Sequence, residues 1–511
     1  MRTKKAIINI SVGILSFFLT TFISFFGSAL FARTLGVEIS GLNNVLMNII
    51  SFLSVTELGI AGAINYNLYK PAADRDYVAI SKIMSFYRRC YMVIGYVILF
   101  ASVILSFFVH LLMKDTTLSN EYIQLAFLLC AANTVLSYFL AYNRNLLYAF
   151  QEIYISSFVD MIFRLIGVSL QIAVLIKLRN FHLYLVISLF QTFASNFVIT
   201  LITRKRHSQV ITNDKTRDAS LERKVFRDVR SLATIQIGSA MINFTSSIII
   251  SKMIGIVEAG MYAYHSTIIV ILTNFVNMMF NNLGASIGNL LAEDKQGRAN
   301  EVFKTLTHVC LLLGLIFASG LANAIRPFIL FWVGDEYVLD YSIIVVLAIN
   351  FFIMVQRQVI NYFLRTGGYH AEMVKPLIFE AVINLTCSII LAHKMGLIGV
   401  FLGCLISSLV GWPMNIKTLC SNFNLSFSRC VGSQVAYLVF FVLQMFISQW
   451  IISNLNLQCS LIVQFVISGF ISVVIPIVVC VFDVMCNPAL LSIRNMIFGI
   501  MGRAVNAIKK N

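Results

Sequence analysis

The chain carries fourteen apolar stretches bounded by charged residues or by Gly, Asn and Pro, and this repetition constrains its fold more than any other feature. They lie near 9–32, 42–66, 86–112, 121–149, 155–176, 182–203, 231–251, 259–291, 305–330, 338–364, 376–393, 397–416, 432–453 and 459–485. A helix needs about 20 apolar residues to cross the hydrocarbon core of a bilayer. The pattern therefore predicts an all-α polytopic membrane protein with about fourteen transmembrane helices. Composition agrees: 59% of residues are hydrophobic and 12% charged, against about 45–50% and about 25% in soluble domains. There are too few charges to cover a soluble surface, which excludes an ordinary cytosolic enzyme, a disordered chain and a secreted disulfide scaffold. The first stretch, about 6–32, exceeds the roughly 7–15 residues of a cleaved signal core and is expected to stay as a span.

Charge gives the orientation. There are 38 basic and 22 acidic residues, a net of +16. In a soluble chain that excess would suggest nucleic acid. Across a membrane, Lys and Arg instead gather in cytoplasmic loops. With the N-terminus inside, 30 of the 38 basic residues fall in inner segments, 7 in outer ones, and Arg164 within a span. Both termini are accordingly expected on the cytoplasmic side of the membrane, with no nucleic-acid partner. The longest connection, 204–230, is inner and strongly basic. No outer loop is long enough to form a domain. The ten cysteines show no C-x-x-C and no metal spacing, and those inside apolar runs read as small hydrophobes. No metal site is expected.

The halves echo one another. Arg33-Thr-Leu-Gly36 through Gly41 matches Lys252-Met-Ile-Gly255 through Gly260 at an offset of 219 residues. Leu58-Gly59 preceding Asn67-Leu68 matches Leu283-Gly284 preceding Asn289-Leu290, and Asp160 and Arg164 fall over Glu380 and Asn384. The offset holds an even number of spans, so the copies share orientation. Parallel repeats of this kind place a transporter's path between two halves. The expected plan is a six-helix half at 1–203, a basic linker at 204–230, a second six-helix half at 231–417, and helices 13–14 with a tail at 418–511.

A charge at mid-bilayer costs about 2.5–3.5 kcal/mol or more, so each needs a reason. Asp160 and Arg164 stand four apart on one helical face, which Gly167 and Gln171 extend. They read either as a neutral pair that stitches helices together or as part of a path. Glu380, Asn384 and Cys387 occupy the corresponding face of span 11, Gln356-Arg357-Gln358 lies in span 10, and Glu57 lies deep in span 2. Arg357 has no acid within a turn of it in sequence. Polar stripes mark span 1 (Gly13, Ser16, Thr20, Ser24), span 7 (Gln236, Ser239, Asn243, Ser247) and span 8 (Asn274, Asn277, Asn281, Asn282). Small and hydroxyl stripes serve close packing as well as polar ligands. Guanidinium grips phosphate oxygens bidentately, so an Arg-lined cavity prefers an anion. Arg164 and Arg357 are the candidates within the membrane, with Arg88, Arg89, Arg144 and Arg365 at the inner mouth.

Fourteen spans, two six-span halves and a terminal pair resemble the Wzx-type oligosaccharide flippases, of the polysaccharide transport family in the multidrug/oligosaccharidyl-lipid/polysaccharide (MOP) exporter superfamily. Local sequence is similar too: Arg33-Thr-Leu-Gly36 with Gly41-Leu42, Glu57-Leu-Gly59 through Tyr69-Lys70-Pro71, Phe331-Trp332-Val-Gly334-Asp-Glu336-Tyr337, and Asn384 leading to Gly396-Leu-Ile-Gly399. The resemblance implies translocation of an undecaprenyl-pyrophosphate-linked oligosaccharide across the bacterial inner membrane by alternating access. The product would be a lipopolysaccharide O-antigen, capsule or exopolysaccharide repeat unit. It implies membrane lipid as a partner, with the polymerase and chain-length proteins of the same pathway. The pyrophosphate would meet the arginines and the sugar the Ser, Thr, Asn and Gln stripes. Asp160, Glu380 or Glu57 would couple transport to protons or sodium. No P-loop, nucleophile or cofactor motif occurs, so the driving force is expected from an ion gradient or the membrane potential. The alternatives are a multidrug/cation antiporter of the same superfamily, disfavoured by the terminal pair and the intramembrane Arg, and a membrane glycan polymerase, disfavoured by short outer loops.

Overall fold

The computed structural model describes residues 2–54, 58–210, 237–242, 245–292, 296–455 and 459–486, and no strand occurs among them. The helices are α1 (Arg2–Leu53), α2 (Leu58–Asp74), α3 (Tyr77–Ser106), α4 (Asn120–Ala141), α5 (Arg144–Ala149), α6 (Ile153–Leu178) and α7 (Phe181–Arg206). They continue as α8 (Ile237–Ile254), then α9 (Ile256–Ala292), α10 (Gln296–Trp332), α11 (Tyr341–Thr366), α12 (His370–Met395), α13 (Leu397–Phe423), α14 (Phe427–Asn454) and α15 (Leu461–Cys486). Among the described residues, thirteen helices are long and apolar enough to cross a membrane. The first of these, Ser11–Leu53, is 43 residues long and carries parts of two of the expected spans. Gly36 breaks it with φ 81° and ψ 174°, values open to glycine but not to a residue with a side chain. The helix thus resumes on both sides of a one-residue kink where the sequence suggests a loop.

The two weakest divisions in the sequence are tight turns. Arg179 is left-handed (φ 46°) and ends α6, and the Asn180 side chain caps α7 by accepting from the Leu183 N–H at 2.9 Å. Gly396, at φ 67°, turns α12 into α13. Asp76 caps α3 in the same way as Asn180, at 3.0 Å from the Ala79 N–H. That cap starts α3 at Tyr77, so Arg88 and Arg89, expected at the inner mouth, lie about 16 Å along a helix.

The chain divides into two compact units, Met1–Ala263 and Tyr264–Asn511. In the first, Ile64, Leu68, Met84, Tyr87, Tyr91, Tyr138 and Tyr142 join α2, α3, α4 and the residue following α4 in one buried core. The corner between α4 and α5 is zipped onto α7 at four-residue steps. Arg144 donates to Asn196, Asn143 to Thr200, and Arg204 to the Tyr142 hydroxyl. The first echoed motif also finds its meaning here. A Cβ on Gly41 would strike the Ile256 carbonyl, and a Cβ on Gly260 would strike the Val37 carbonyl. The two motif copies therefore cross reciprocally, backbone against backbone. The loop after α3 straps them: Lys114 pairs its N–H with Ser251 O and its C=O with the Ile256 N–H. Thr116, with the side chain and backbone N–H of Thr117, donates to Glu38 at 2.6–2.8 Å.

In the second unit, α12 and α13 form a hairpin built on small residues four apart. Gly399 lies against Leu391 and Ala392, Gly403 against Ser388, and Gly411 against Glu380; Asn384 donates to Ser407 at 3.2 Å. The terminal helices are tied to α10 by buried polar groups. Ser319 donates to Gln444 at 2.7 Å, and Asn323 to Ser472 at 3.2 Å. The motif around Trp332 is a turn: Gly334 has φ 121°, while Trp332 and the buried Tyr337 pack edge-on against Tyr264.

Candidate functional site

Helical hairpins position the membrane charges in both units. In α6, Asp160, Gly167 and Gln171 face α7, where Ser195, Gln191 and Ser188 meet them. Asp160 does not pair with Arg164 one turn along. It accepts a fork from Arg144, with Nη1 to Oδ2 at 2.5 Å and Nη2 to Oδ1 at 2.8 Å. Ser195 donates to the same Oδ1 at 2.5 Å, and Arg144 spends its Nε on Asn196 at 2.7 Å. Asp160 and Arg144 therefore form a bidentate pair, part-buried at Arg144 and more open at Asp160.

Arg357 and Glu380 form the counterpart in the second unit. Nη1 donates to Oε1 and Nη2 to Oε2, each at 2.6 Å. The acid missing from the sequence neighbourhood of Arg357 arrives from α12. Glu380 is 3% exposed, and the absent side chain at Gly411 makes room for it. The fork neutralises the Arg357 charge and occupies its Nη1–Nη2 edge, while its Nε is buried without a hydrogen-bond partner among the described residues.

Arg164 differs from both. Its Nε and Nη2 share the Ser24 hydroxyl of α1 at 3.3 and 3.2 Å, and no carboxylate pairs with it among the described residues. Guanidinium carries five N–H donors, so most of its capacity is unspent. Arg164 is exposed, and the direction of that exposure is informative. Phe158, Ile162, Ile166 and Leu170 form the exposed apolar stripe of α6. Arg164 lies two residues, or about 200° of helical turn, from both Ile162 and Ile166. It stands on the face opposite the stripe suited to lipid.

The other candidates separate clearly. Arg88, half-buried in α3, has no hydrogen-bond partner among the described residues, whereas Arg89 lies over the Phe86 ring at 5.9 Å. Tyr87, next to Arg88, accepts from Asn145 at 2.6 Å, which brings that turn of α3 to the Arg144 corner. Arg365 is exposed in the last turn of α11. Ser16 donates to the Ser157 carbonyl at 3.1 Å and joins α1 to α6, and Thr20 bonds back to Ser16 O within its own helix. Both hydroxyls are used in packing. Asn277 accepts from Gln358 at 3.0 Å, and Asn274 is exposed on α9. Asn281 lies in α9 but its side chain is outside those described; Glu57, Gln236 and Asn243 also lie outside the described residues.

Ser195 and Asn196, which complete the first fork, were missed in the sequence. Their signal was a pair of polar residues in an apolar span, one turn from Gln191.

No protein-family model matches the chain, and no curated protein matches it. Solved structures do. An inward-facing multidrug resistance MATE family transporter of the MOP superfamily aligns with a TM-score of 0.66 at 14% identity, over 82% of this chain and 98% of that chain. The lipid II flippase MurJ, in an inward closed conformation, aligns with a TM-score of 0.61 at 13% identity, over 92% of this chain and 98% of its own. A MATE transporter in a bent conformation gives 0.56 at 12% identity, over 82% and 96%. At these identities the likeness is one of fold. With its apolar helices, it makes this chain a multi-pass membrane protein with a fold like those of the MATE transporters and MurJ.

Proposed function

We propose that the chain is a flippase for an undecaprenyl-pyrophosphate-linked oligosaccharide in the bacterial inner membrane, with both termini cytoplasmic, working by alternating access. The observation that carries this reading is Arg164. It is a cation within a membrane span, without a carboxylate partner among the described residues, turned away from the apolar face of its helix. An unpaired intramembrane charge marks a polar path by default, and guanidinium suits the diphosphate that joins lipid to sugar. Arg88 supplies a second uncommitted cation in the same unit. The flippase of similar fold also spans more of this chain than the multidrug transporters do, 92% against 82%.

Export of the glycan in a strain lacking its own flippase tests the reading. Arg164→Ala should abolish export and Arg164→Lys retain part of it, with the protein at normal abundance in the membrane. Native export from Arg164→Ala would refute it.

The higher TM-score, 0.66, belongs to a multidrug transporter and favours drug/cation antiport as a second reading. Its chemistry needs a carboxylate free to exchange a proton or a cation. Asp160 and Glu380 are each engaged by an arginine fork, which counts against them in that role. Deletion that alters drug susceptibility and leaves surface glycan intact would favour the antiporter.

A further inference from the structure

Asp160 and Arg164 have the spacing and order, acid first and base four residues later, in which helical side chains pair most readily. Left to its own helix, Asp160 would neutralise Arg164. It does not: three hydrogen bonds draw its carboxylate toward α5 and α7 instead, one from Arg144 to Oδ2 and one each from Arg144 and Ser195 to Oδ1. Arg144 is in turn held by Asn196 and Ser195, and its corner is fixed to α7 through Asn143–Thr200 and Tyr142–Arg204. The competition for Asp160 is thus decided by a side chain mounted on another helix and pre-aimed at it. Arg164, deprived of its nearest acid, turns to Ser24.

We infer that Arg144 is a positioning residue that keeps Arg164 available for an anionic ligand by occupying Asp160. The inference rests on the reading of Arg164 as the diphosphate-holding group. Arg144 touches no ligand in this scheme; it acts by withholding a carboxylate. The second unit supplies the contrast. There Arg357 engages Glu380 in the same fork, but the residue four positions after the acid is Asn384, and its amide goes to Ser407. Asn384 is neutral, so that fork sets no cation free. The fork therefore serves helix packing in both units, and in the first it has a second consequence because Arg164 follows.

The purified full-length protein in detergent, titrated calorimetrically with inorganic pyrophosphate, provides the test. Arg164→Ala and Arg144→Gln should each weaken binding by about tenfold or more, the worth of one charge-assisted contact. The double variant Arg144→Gln/Asp160→Asn removes the blocker and the competitor together, and should recover binding to within about threefold of the parent. Arg144→Lys, whose single ammonium cannot reproduce the fork to both oxygens, should bind between the parent and Arg144→Gln. A merely structural Arg144 predicts that binding falls and recovers only in step with the unfolding temperature, so the unfolding temperature of each variant is read beside its binding. A folded double variant that binds as poorly as Arg144→Gln would overturn the inference while leaving Arg164 as the anion-holding group. Native binding by Arg164→Ala would overturn the reading of Arg164 and the inference with it. If Arg144→Gln does not fold, the double and Arg144→Lys variants carry the test, and loss of binding by both, folded, overturns the inference.

Discussion

Arginines 144, 164 and 357 share one chemistry and meet three different surroundings, and their neighbours decide what each can do. Glu380 is buried and has given both oxygens to Arg357, so truncating Arg357 would strand an anion in the interior. Arg357→Ala is expected to cost about 3–5 kcal/mol, seen as a lowered unfolding temperature in detergent. Arg357→Met with Glu380→Gln should recover most of that loss, since neither charge is then left alone. Full stability of the single variant would show that Glu380 finds another partner. The sequence made these charges visible because carboxylates and guanidinium stand out in apolar runs. Who pairs with whom was not visible. The acid that Arg357 takes is 23 residues away and the one Arg144 takes is 16 residues away, each on a neighbouring helix. A helix-local rule cannot see that competition.

Among the elements, the α12–α13 hairpin rests on the small side chains at Gly399, Gly403, Ser407 and Gly411. A Cβ on Gly403 would press on the Ser388 backbone, and one on Gly411 on the Glu380 carboxylate. Gly403→Leu should abolish folded protein in the membrane fraction. Gly411→Ala should destabilise by about 1–3 kcal/mol, as overpacking does, by displacing a charged group that cannot move freely. Gly13→Ala is the control, because nothing lies within 4 Å of the added atom. Helix propensity alone should leave that variant unchanged or raise its stability by about 0.5–1 kcal/mol. Membrane abundance checks Gly403→Leu, and thermal unfolding in one detergent checks the order of Gly411→Ala, the parent and Gly13→Ala. Spans of this kind are largely legible, since hydropathy fixes them and local signals such as Arg179-Asn180 and Gly396 end them. The kink at Gly36 and the early start of α3 were not, because helix can continue through polar residues beyond the hydrocarbon core.

For the molecule as a whole, the reading with both termini inside places Arg75 and Asp115, which flank α3, on opposite sides of the membrane. In a background cleared of reactive cysteines, Asp115→Cys should react with an impermeant maleimide in intact cells, and Arg75→Cys only after permeabilisation. The reverse pattern would invert the topology. Removing α14 and α15 should deplete folded protein, because Ser319 and Asn323 of α10 lose Gln444 and Ser472 and would then face hydrocarbon unpartnered. The reciprocal crossing of the echoed motifs has a consequence of a different kind. Gly41 touches the backbone beside Gly255, and Gly260 touches the backbone beside Gly36, so each copy is the mould into which the other is cast. At these two positions, 219 residues distant in the chain, added bulk on one strains its twin, and the pair is held in lockstep by geometry alone.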